Sequence, residues 1–161
     1  MDILHGYSRI TWGEVLHGSG VSHSNELPAD IRRNLVSLAE AFRVVRDLTG
    51  MAIRICSGYR SPAVNEACGG APGSQHLQGR ALDIRLVGRT ATVLQPEMRA
   101  LYRLIDRAQQ NGRIHPGGLA VYAGRDPETG RRDTDWVDFL HFDTRGWRAR
   151  WNSADRQRLL G

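Results

Sequence analysis

The sequence predicts an α+β domain in which a small antiparallel sheet carries helices on one side. Two long segments, one early and one in the middle of the chain, repeat apolar residues with the period of a helix. The segment RALDIRLV, between them, alternates apolar and polar residues with the period of a strand, and two further strand-like runs, GLAVYAG and DFLHFD, follow late in the chain. The polar loop RDPETGRRDTD separates the last two of these strand segments, as in an antiparallel hairpin.

The first helix is predicted over LPADIRRNLVSLAEAFRVVRDLTG, residues 27–50. Its apolar residues recur at steps of three and four, which places them on one face. Pro28 suits the first turn of this helix and Gly50 suits its end. The segment MAIRIC then predicts a short strand, and Ser61 begins a brief helix. The second long helix is predicted over MRALYRLIDRAQQNG.

Three strands are predicted to complete the sheet, in RALDIRLV, GLAVYAG and DFLHFD. In the first of them Leu82, Ile84 and Leu86 point to one face, and Asp83 points to the other. Asp83 is therefore expected to face away from the apolar layer, on the side of the sheet that the helices leave open.

A single domain is expected over residues 1–161, with residues 1–26 as an irregular amino-terminal arm. A chain of 161 residues with 40% hydrophobic content can bury one ordinary core. No segment approaches the length of a membrane span. The first twenty residues lack the cationic and apolar regions of a signal peptide, so none is predicted.

The chain is basic, with a formal net charge of +5, and all 22 of its basic residues are arginine. A basic surface attracts nucleic acid, anionic membranes and anionic cell walls alike. The arginines are scattered and no nucleic-acid recognition motif is found, so nucleic acid is not an expected partner. Cys56 and Cys68 are interpreted as free thiols, with one disulfide as the alternative.

Three polar residues are candidates for a metal site. His76 and Asp83 are separated by six residues, and His141 lies in a predicted strand. If that strand pairs with the strand of Asp83, two imidazoles and one carboxylate converge, which is a ligand set that zinc accepts. Taken one at a time, the three residues also fit a loop histidine, a surface carboxylate and a hydrogen-bonded strand histidine. Spacing alone leaves both interpretations open.

Four segments together carry a resemblance to a known family: SGYRSPAVN, GSQHLQGRALDIR, GGLAVY and DFLHFDTRGWRARW. They resemble the zinc D-Ala-D-Ala carboxypeptidases and the related peptidoglycan L,D-/L-alanyl-D-glutamate endopeptidases, including phage endolysin-like peptidases. The family's Ser-x-His-x-x-Gly-x-Ala-x-Asp motif has every fixed position filled, by residues 74 to 83. Its second motif, an acidic residue three positions before a histidine, is matched by Asp138 and His141.

The resemblance implies one zinc ion bound by His76, Asp83 and His141, in a cleft at the sheet. It implies that Asp138 acts as general base and acid, and that Arg60 in the SGYR turn binds a substrate carboxylate or carbonyl. Residues three apart on a regular strand face opposite sides, so Asp138 needs a bulge or a later strand start. Ser74 either binds the peptide substrate or caps the local turn.

The function implied is a metallopeptidase that cuts amide bonds in peptidoglycan stem peptides, as a D-Ala-D-Ala carboxypeptidase or a murein endopeptidase. We expect a monomer without a transmembrane segment, phage-borne or bacterial, made in the cytoplasm and acting on the cell wall. The alternative is a non-catalytic, zinc-stabilised module on the same scaffold that binds cell wall or protein. Asp138 favours the enzyme, because a binding module has no use for an acid beside the third ligand.

Overall fold

The computed structural model describes residues 3–5 and 9–161, and its centre is a five-stranded sheet. Within these residues seven strands are observed in chain order: β1 (Ile3–His5), β2 (Ile10–Thr11), β3 (Ile53–Ser57), β4 (Ala81–Leu86), β5 (Gly118–Ala123), β6 (Val137–Asp143) and β7 (Ala149–Arg150). The same part of the chain contains five α-helices: α1 (Trp12–Leu16), α2 (Ala29–Thr49), α3 (Pro62–Ala67), α4 (Gln95–Gln110) and α5 (Ser153–Leu160). Two short 3₁₀ helices cover Ser24–Glu26 and Gln75–Gln78.

The strand order in the central sheet is β3-β4-β6-β5-β7. All neighbours are antiparallel except β5 and β7, which run parallel. The hairpin of β5 and β6 places the last long strand beside β4, so strands far apart in sequence become neighbours in the middle of the sheet. The predicted fold class, an antiparallel sheet with helices, is confirmed.

The core lies between one face of the sheet and the helices α2 and α4. Leu82, Ile84 and Leu86 of β4 are buried on this face, as their alternation predicted. The rings of Phe42 in α2 and Phe142 in β6 stack at 6.5 Å between centroids, which joins helix to sheet. The opposite face of the sheet carries Asp83 and remains open for a site.

Helix α2, at Ala29–Thr49, lies within the predicted range of residues 27–50, and Pro28 and Gly50 flank it. Its buried residues follow the predicted stripe, from Ile31 to Val45. Gly50 ends the helix in a left-handed conformation with φ 65°, and its N–H donates to the carbonyl of Arg46. Among the described residues, no helix has both the length and the apolar character needed to cross a bilayer.

The amino-terminal arm, predicted to be irregular, contains β1, β2 and α1 in its described part. Helix α1 begins with a capping box: Thr11 Oγ1 accepts from the N–H of Glu14, and the Thr11 N–H donates to the Glu14 carboxylate. The carboxy-terminal helix α5 was also absent from the sequence prediction. Arg158 of that helix donates to the carbonyls of Asp133 and Thr134, which ties it to the β5–β6 loop.

A charged network fixes the short strand β7 to helix α4. Asp106 accepts from Arg150 at 2.6 Å and from Arg148 at 2.7 Å, and Arg150 also donates to Gln109. Burial would raise the pKa of Asp106, but the two guanidinium groups more than offset this and hold it below its ordinary value. The residue after Arg150 is Trp151, so this network also sets where that side chain lies.

Asp106→Asn is expected to lower the free energy of unfolding by about 2 kcal/mol, because charge-assisted hydrogen bonds to two arginines are lost. The lowered pKa means that Asp106 stabilises the fold above the ordinary aspartate pKa, and that this stabilisation is lost as the pH falls through the folded-state value. Urea unfolding at neutral and acidic pH measures both effects. Asp47→Asn removes an exposed i,i+4 pair and should change stability little.

Candidate metal centre

The structure brings the three predicted ligands together at the open face of the sheet. His76 Nε2 lies 3.3 Å from Asp83 Oδ1, and His141 Nδ1 lies 3.1 Å from the same oxygen. The three potential ligand atoms all lie within 4.8 Å of one another. All three side chains are buried, with exposed fractions below one tenth.

Strand register places two of the three ligands. Asp83 of β4 and His141 of β6 are direct partners across the two central strands. Side chains opposite each other on adjacent strands lie about 5 Å apart and point to the same face. This is the pairing on which the sequence-based prediction of the site depended.

The third ligand comes from the 3₁₀ helix that precedes β4. Ser74 caps this helix, and its hydroxyl accepts from the N–H of His76. Gly79 ends it with φ 66°, and a Cβ there would lie 3.0 Å from the carbonyl oxygen of Ile31. Glycine is therefore required at this turn, which returns the chain from His76 to the strand that carries Asp83.

The donor set fits a zinc ion. The ring of His76 places Nδ1 at 2.6 Å from the carbonyl oxygen of Gly58, which can only accept, so Nδ1 carries the proton. The lone pair of Nε2 then faces Asp83 Oδ1, and two acceptors face each other unless a proton or a cation lies between them. Ligands at about 2.05 Å from a tetrahedral zinc are separated by roughly 3.3 Å. The observed separations at Asp83 Oδ1 match this value.

The electrostatics of the cluster also favour a cation. Burial would raise the pKa of Asp83, but the imidazoles of His141 and His76 more than offset it and hold the pKa well below its ordinary range. Burial would lower the pKa of His141, but Asp143 and Asp83 raise it overall. The carboxylates of Asp83 and Asp143 therefore stabilise positive charge at His141. A metal ion would have to displace a proton to bind there.

Arg60 and Ser74, the predicted substrate-binding residues, both line the cleft above the cluster. Arg60 donates from Nε to Ser57 Oγ at 3.2 Å and from Nη2 to Asp83 Oδ2 at 3.3 Å. Its guanidinium is therefore oriented by the outer oxygen of a candidate ligand. Ser74 caps the turn, and its contact with a substrate stays a prediction.

Asp138 lies at a β-bulge in β6. Tyr122 of β5 pairs with Phe139 while Ala123 pairs with Val137, so Asp138 is the extra residue. Asp138 forms ion pairs with Arg85 at 3.3 Å and with Arg132 at 3.0 Å. Arg85 alternates with the buried leucines of β4 and so shares the face of Asp83. The bulge that the sequence required is present, although Asp138 is not among the residues that line the cleft.

The cleft over the cluster has a volume of about 530 Å³. One wall is aromatic: Tyr122 stacks on Phe139 at 4.6 Å, and the Trp151 indole donates to the Tyr122 hydroxyl. Trp151 also contacts His141 edge-on at 4.9 Å. The loop before the 3₁₀ helix of His76 also lines the cleft, mainly through small residues: Gly69, Gly70, Ala71, Gly73 and Gln75.

Two charged residues of the site were not predicted from the sequence: Asp143 and Arg145. Asp143 is fully buried and accepts from His141 Nε2 at 2.8 Å, and Arg145 pairs with Asp143 and lines the cleft. The signal was present, because residues two apart on a strand share a face and Asp143 follows His141 by two. Cys56 and Cys68, which lie outside this cluster, are free thiols.

The cleft, with two imidazoles and one carboxylate at its base, is a candidate mononuclear metal site, and three ligands of these types are the set that catalytic zinc sites use. The chain belongs to the zinc D-Ala-D-Ala carboxypeptidase-like family, peptidase M15, whose family model matches residues 10–115. The matched segment includes His76 and Asp83 and ends before His141. No curated protein matches the chain. M15 peptidases use zinc, which agrees with the ligand set of the cluster.

Removal of the metal by a chelator is expected to lower the melting temperature by about 10 °C. A ligand that binds only the folded state at about 1,000 times its Kd adds about 4 kcal/mol, and each kcal/mol shifts a domain of this size by about 2–4 °C. Differential scanning calorimetry with and without chelator measures the shift. Zn²⁺ should restore the original melting temperature, and Mg²⁺, which prefers oxygen ligands, should not.

Proposed function

We propose that this chain is a zinc-dependent peptidase that hydrolyses amide bonds in peptidoglycan stem peptides, as a D-Ala-D-Ala carboxypeptidase or a murein endopeptidase. The observation that carries the proposal is the cluster of His76, Asp83 and His141 at the base of an open cleft in an M15 family member. We further propose that the protein acts at the cell wall of a bacterium, as a phage-borne or bacterial enzyme.

His76, Asp83 and His141 would hold the zinc ion, and three protein ligands leave one coordination position for water or substrate. When bound, the ion supplies a Lewis acid and a nucleophile at neutral pH by lowering the pKa of water. Each ligand already has a fixed orientation, because Gly58, Arg60 and Asp143 hold their outer atoms. Little reorganisation of the protein is then needed when the substrate arrives.

Arg60 would bind a substrate carboxylate or the carbonyl oxygen of the bond that is cut. Its guanidinium lines the cleft and is oriented through Nε and Nη2, which leaves further N–H donors for a ligand. A fixed donor at this position offsets negative charge as it develops on the carbonyl oxygen. Ser74 keeps its hydroxyl proton while it caps the turn, so it can donate to a peptide carbonyl.

Asp138 would accept a proton from water and pass it to the leaving amine. Each of its oxygens contacts one arginine, but a carboxylate offers about four lone-pair sites, so sites stay free for a proton. The β-bulge brings Asp138 to the face of the sheet that also carries Asp83. The role requires only that the carboxylate turns toward the cleft from its position beside Arg85.

The cleft suits an extended peptide. Its aromatic wall of Tyr122, Phe139 and Trp151 offers flat apolar surface, and its other wall is built from small residues and backbone. Two guanidinium groups in the lining, Arg60 and Arg145, favour a substrate that carries carboxylates. Stem peptides combine small side chains with free carboxylates and fit this description.

The second candidate function is a non-catalytic, zinc-stabilised module that binds cell wall or protein. One observation favours it: both oxygens of Asp138 are ion-paired, with Arg85 and Arg132. A structural role for Asp138 would account for these pairs without any proton transfer. Binding of peptidoglycan without release of fragments would support this candidate.

The test is digestion of purified peptidoglycan, and of defined stem peptides, by the zinc-loaded protein with product masses assigned. Loss of one terminal alanine identifies a carboxypeptidase, and a cut within the stem or the cross-link identifies an endopeptidase. Protein from which the metal has been removed with a chelator is the control. It should be inactive, and added Zn²⁺ should restore its activity. Absence of any released fragment from all of these substrates would contradict the proposed function.

A further inference from the structure

Asp143, at the end of β6, has the contacts of a residue built around the metal centre. Its side chain is fully buried. Oδ2 lies 2.8 Å from His141 Nε2 and accepts from Arg145 Nη2 at 2.7 Å, while Oδ1 accepts from the N–H of Gly118 and from Arg145 Nε. No other described carboxylate contacts the outer nitrogen of either candidate ligand histidine.

The contact with Asp143 determines which nitrogen of His141 can bind a metal. A carboxylate only accepts, so Nε2 must carry a proton, and the lone pair of a neutral ring is left on Nδ1. Nδ1 is the atom that points at Asp83, 3.1 Å from its Oδ1. His76 is oriented in the opposite sense, since its Nδ1 donates to a backbone carbonyl and Nε2 faces Asp83.

The side chain of Asp143 is closely enclosed by β5 and by Arg145. A Cβ at Gly118 would lie 2.3 Å from Asp143 Oδ2, so the close approach of β5 requires glycine there. The bidentate contact with Arg145 balances the buried negative charge, which would otherwise be costly. Arg145 in turn lies over the Trp151 ring at 5.2 Å, at the cleft.

We propose that Asp143 is a positioning residue for the metal centre: by holding the Nε2–H of His141, it presents Nδ1 to the cation in a fixed orientation. Outer-shell carboxylates of this kind typically contribute about 10- to 100-fold in metal affinity. The proposal rests on the proposed zinc site, but not on the proposed substrate or bond. The alternative is that Asp143 only anchors the turn that contains Arg145.

Asp143→Asn is the decisive variant. An amide can present either an oxygen or an NH₂ group to Nε2, so it no longer enforces one tautomer of His141. Zn²⁺ affinity, measured by competition with a chelator, should fall by about 10- to 100-fold. In the Co²⁺-loaded protein, the exchangeable N–H signal of the His141 imidazole should broaden or disappear, while that of His76 remains.

Two further variants separate positioning from stability. Leu101→Ala destabilises the core behind the sheet and should leave Zn²⁺ affinity within about twofold, since Leu101 lies on α4 among apolar residues. Arg145→Lys loses the bidentate contact but keeps a positive charge beside the carboxylate, so the His141 N–H signal should persist. If Asp143→Asn does not fold, loss of that signal in Arg145→Lys would overturn the proposal. Wild-type Zn²⁺ affinity in folded Asp143→Asn would also overturn it, whatever the peptidase assays show.

Discussion

Replacing His141 with alanine is expected to remove bound zinc and peptidase activity together. The variant keeps only His76 and Asp83 as ligands, and two protein ligands are fewer than a catalytic zinc site uses. The loss of zinc affinity should exceed the roughly 10- to 100-fold effect of losing an outer-shell partner. Metal analysis after dialysis, together with digestion of peptidoglycan, measures both quantities on one sample.

The matched control for this variant is His115→Ala. His115 is an exposed histidine in the turn before β5, outside the candidate metal cluster. It should keep wild-type zinc content and turnover. If His141→Ala retains one equivalent of zinc and full activity, the cluster is not the active site and the peptidase proposal fails.

The core of the fold follows from local patterns in the sequence. The three-four spacing in α2 and the alternation in β4 each identify which face is buried, and both faces are found in the core. Gly50 ends α2 in the left-handed conformation, which is the usual way in which a glycine ends a helix. Local patterns were sufficient here because helix capping, and the face to which each side chain of a helix or strand points, depend on residues close together in the chain.

The ends of the chain were harder to predict for a physical reason. Helix α1 has five residues and α5 has eight, which is too short for an apolar period to stand out. The Thr11–Glu14 capping box was the available signal for α1. Helix α5 contacts β5 and is tied to a loop by Arg158, and such tertiary contacts leave no local signature.

The candidate ligands were predictable once the two strands were assumed to be neighbours. His141 and Asp83 are paired residues, so one correct assumption about topology positioned both. The contacts around them were not predictable in the same way. Arg132, which pairs with Asp138, lies in the loop between β5 and β6, and where a long loop folds back depends on contacts that the sequence pattern does not encode.

Asp138→Asn is expected to keep bound zinc and to lower turnover by about 10²- to 10⁴-fold, the usual contribution of a general acid or base. Asparagine has nearly the same shape but cannot accept a proton at neutral pH. It also loses the charge that pairs with Arg85 and Arg132, so the thermal stability of the variant must be measured beside its activity. Asp133→Asn is the matched control, since Asp133 lies in the preceding loop and its side chain forms an exposed ion pair with Arg131.

Arg132→Gln decides whether an effect of Asp138→Asn reflects proton transfer or the lost ion pairs. It breaks the 3.0 Å contact to Asp138 Oδ2 but leaves the carboxylate able to accept a proton. A catalytic Asp138 therefore predicts turnover close to wild type in Arg132→Gln and strongly reduced turnover in Asp138→Asn. Equal losses of turnover in both variants would assign Asp138 a structural role. Wild-type turnover in Asp138→Asn would mean that another group carries the proton.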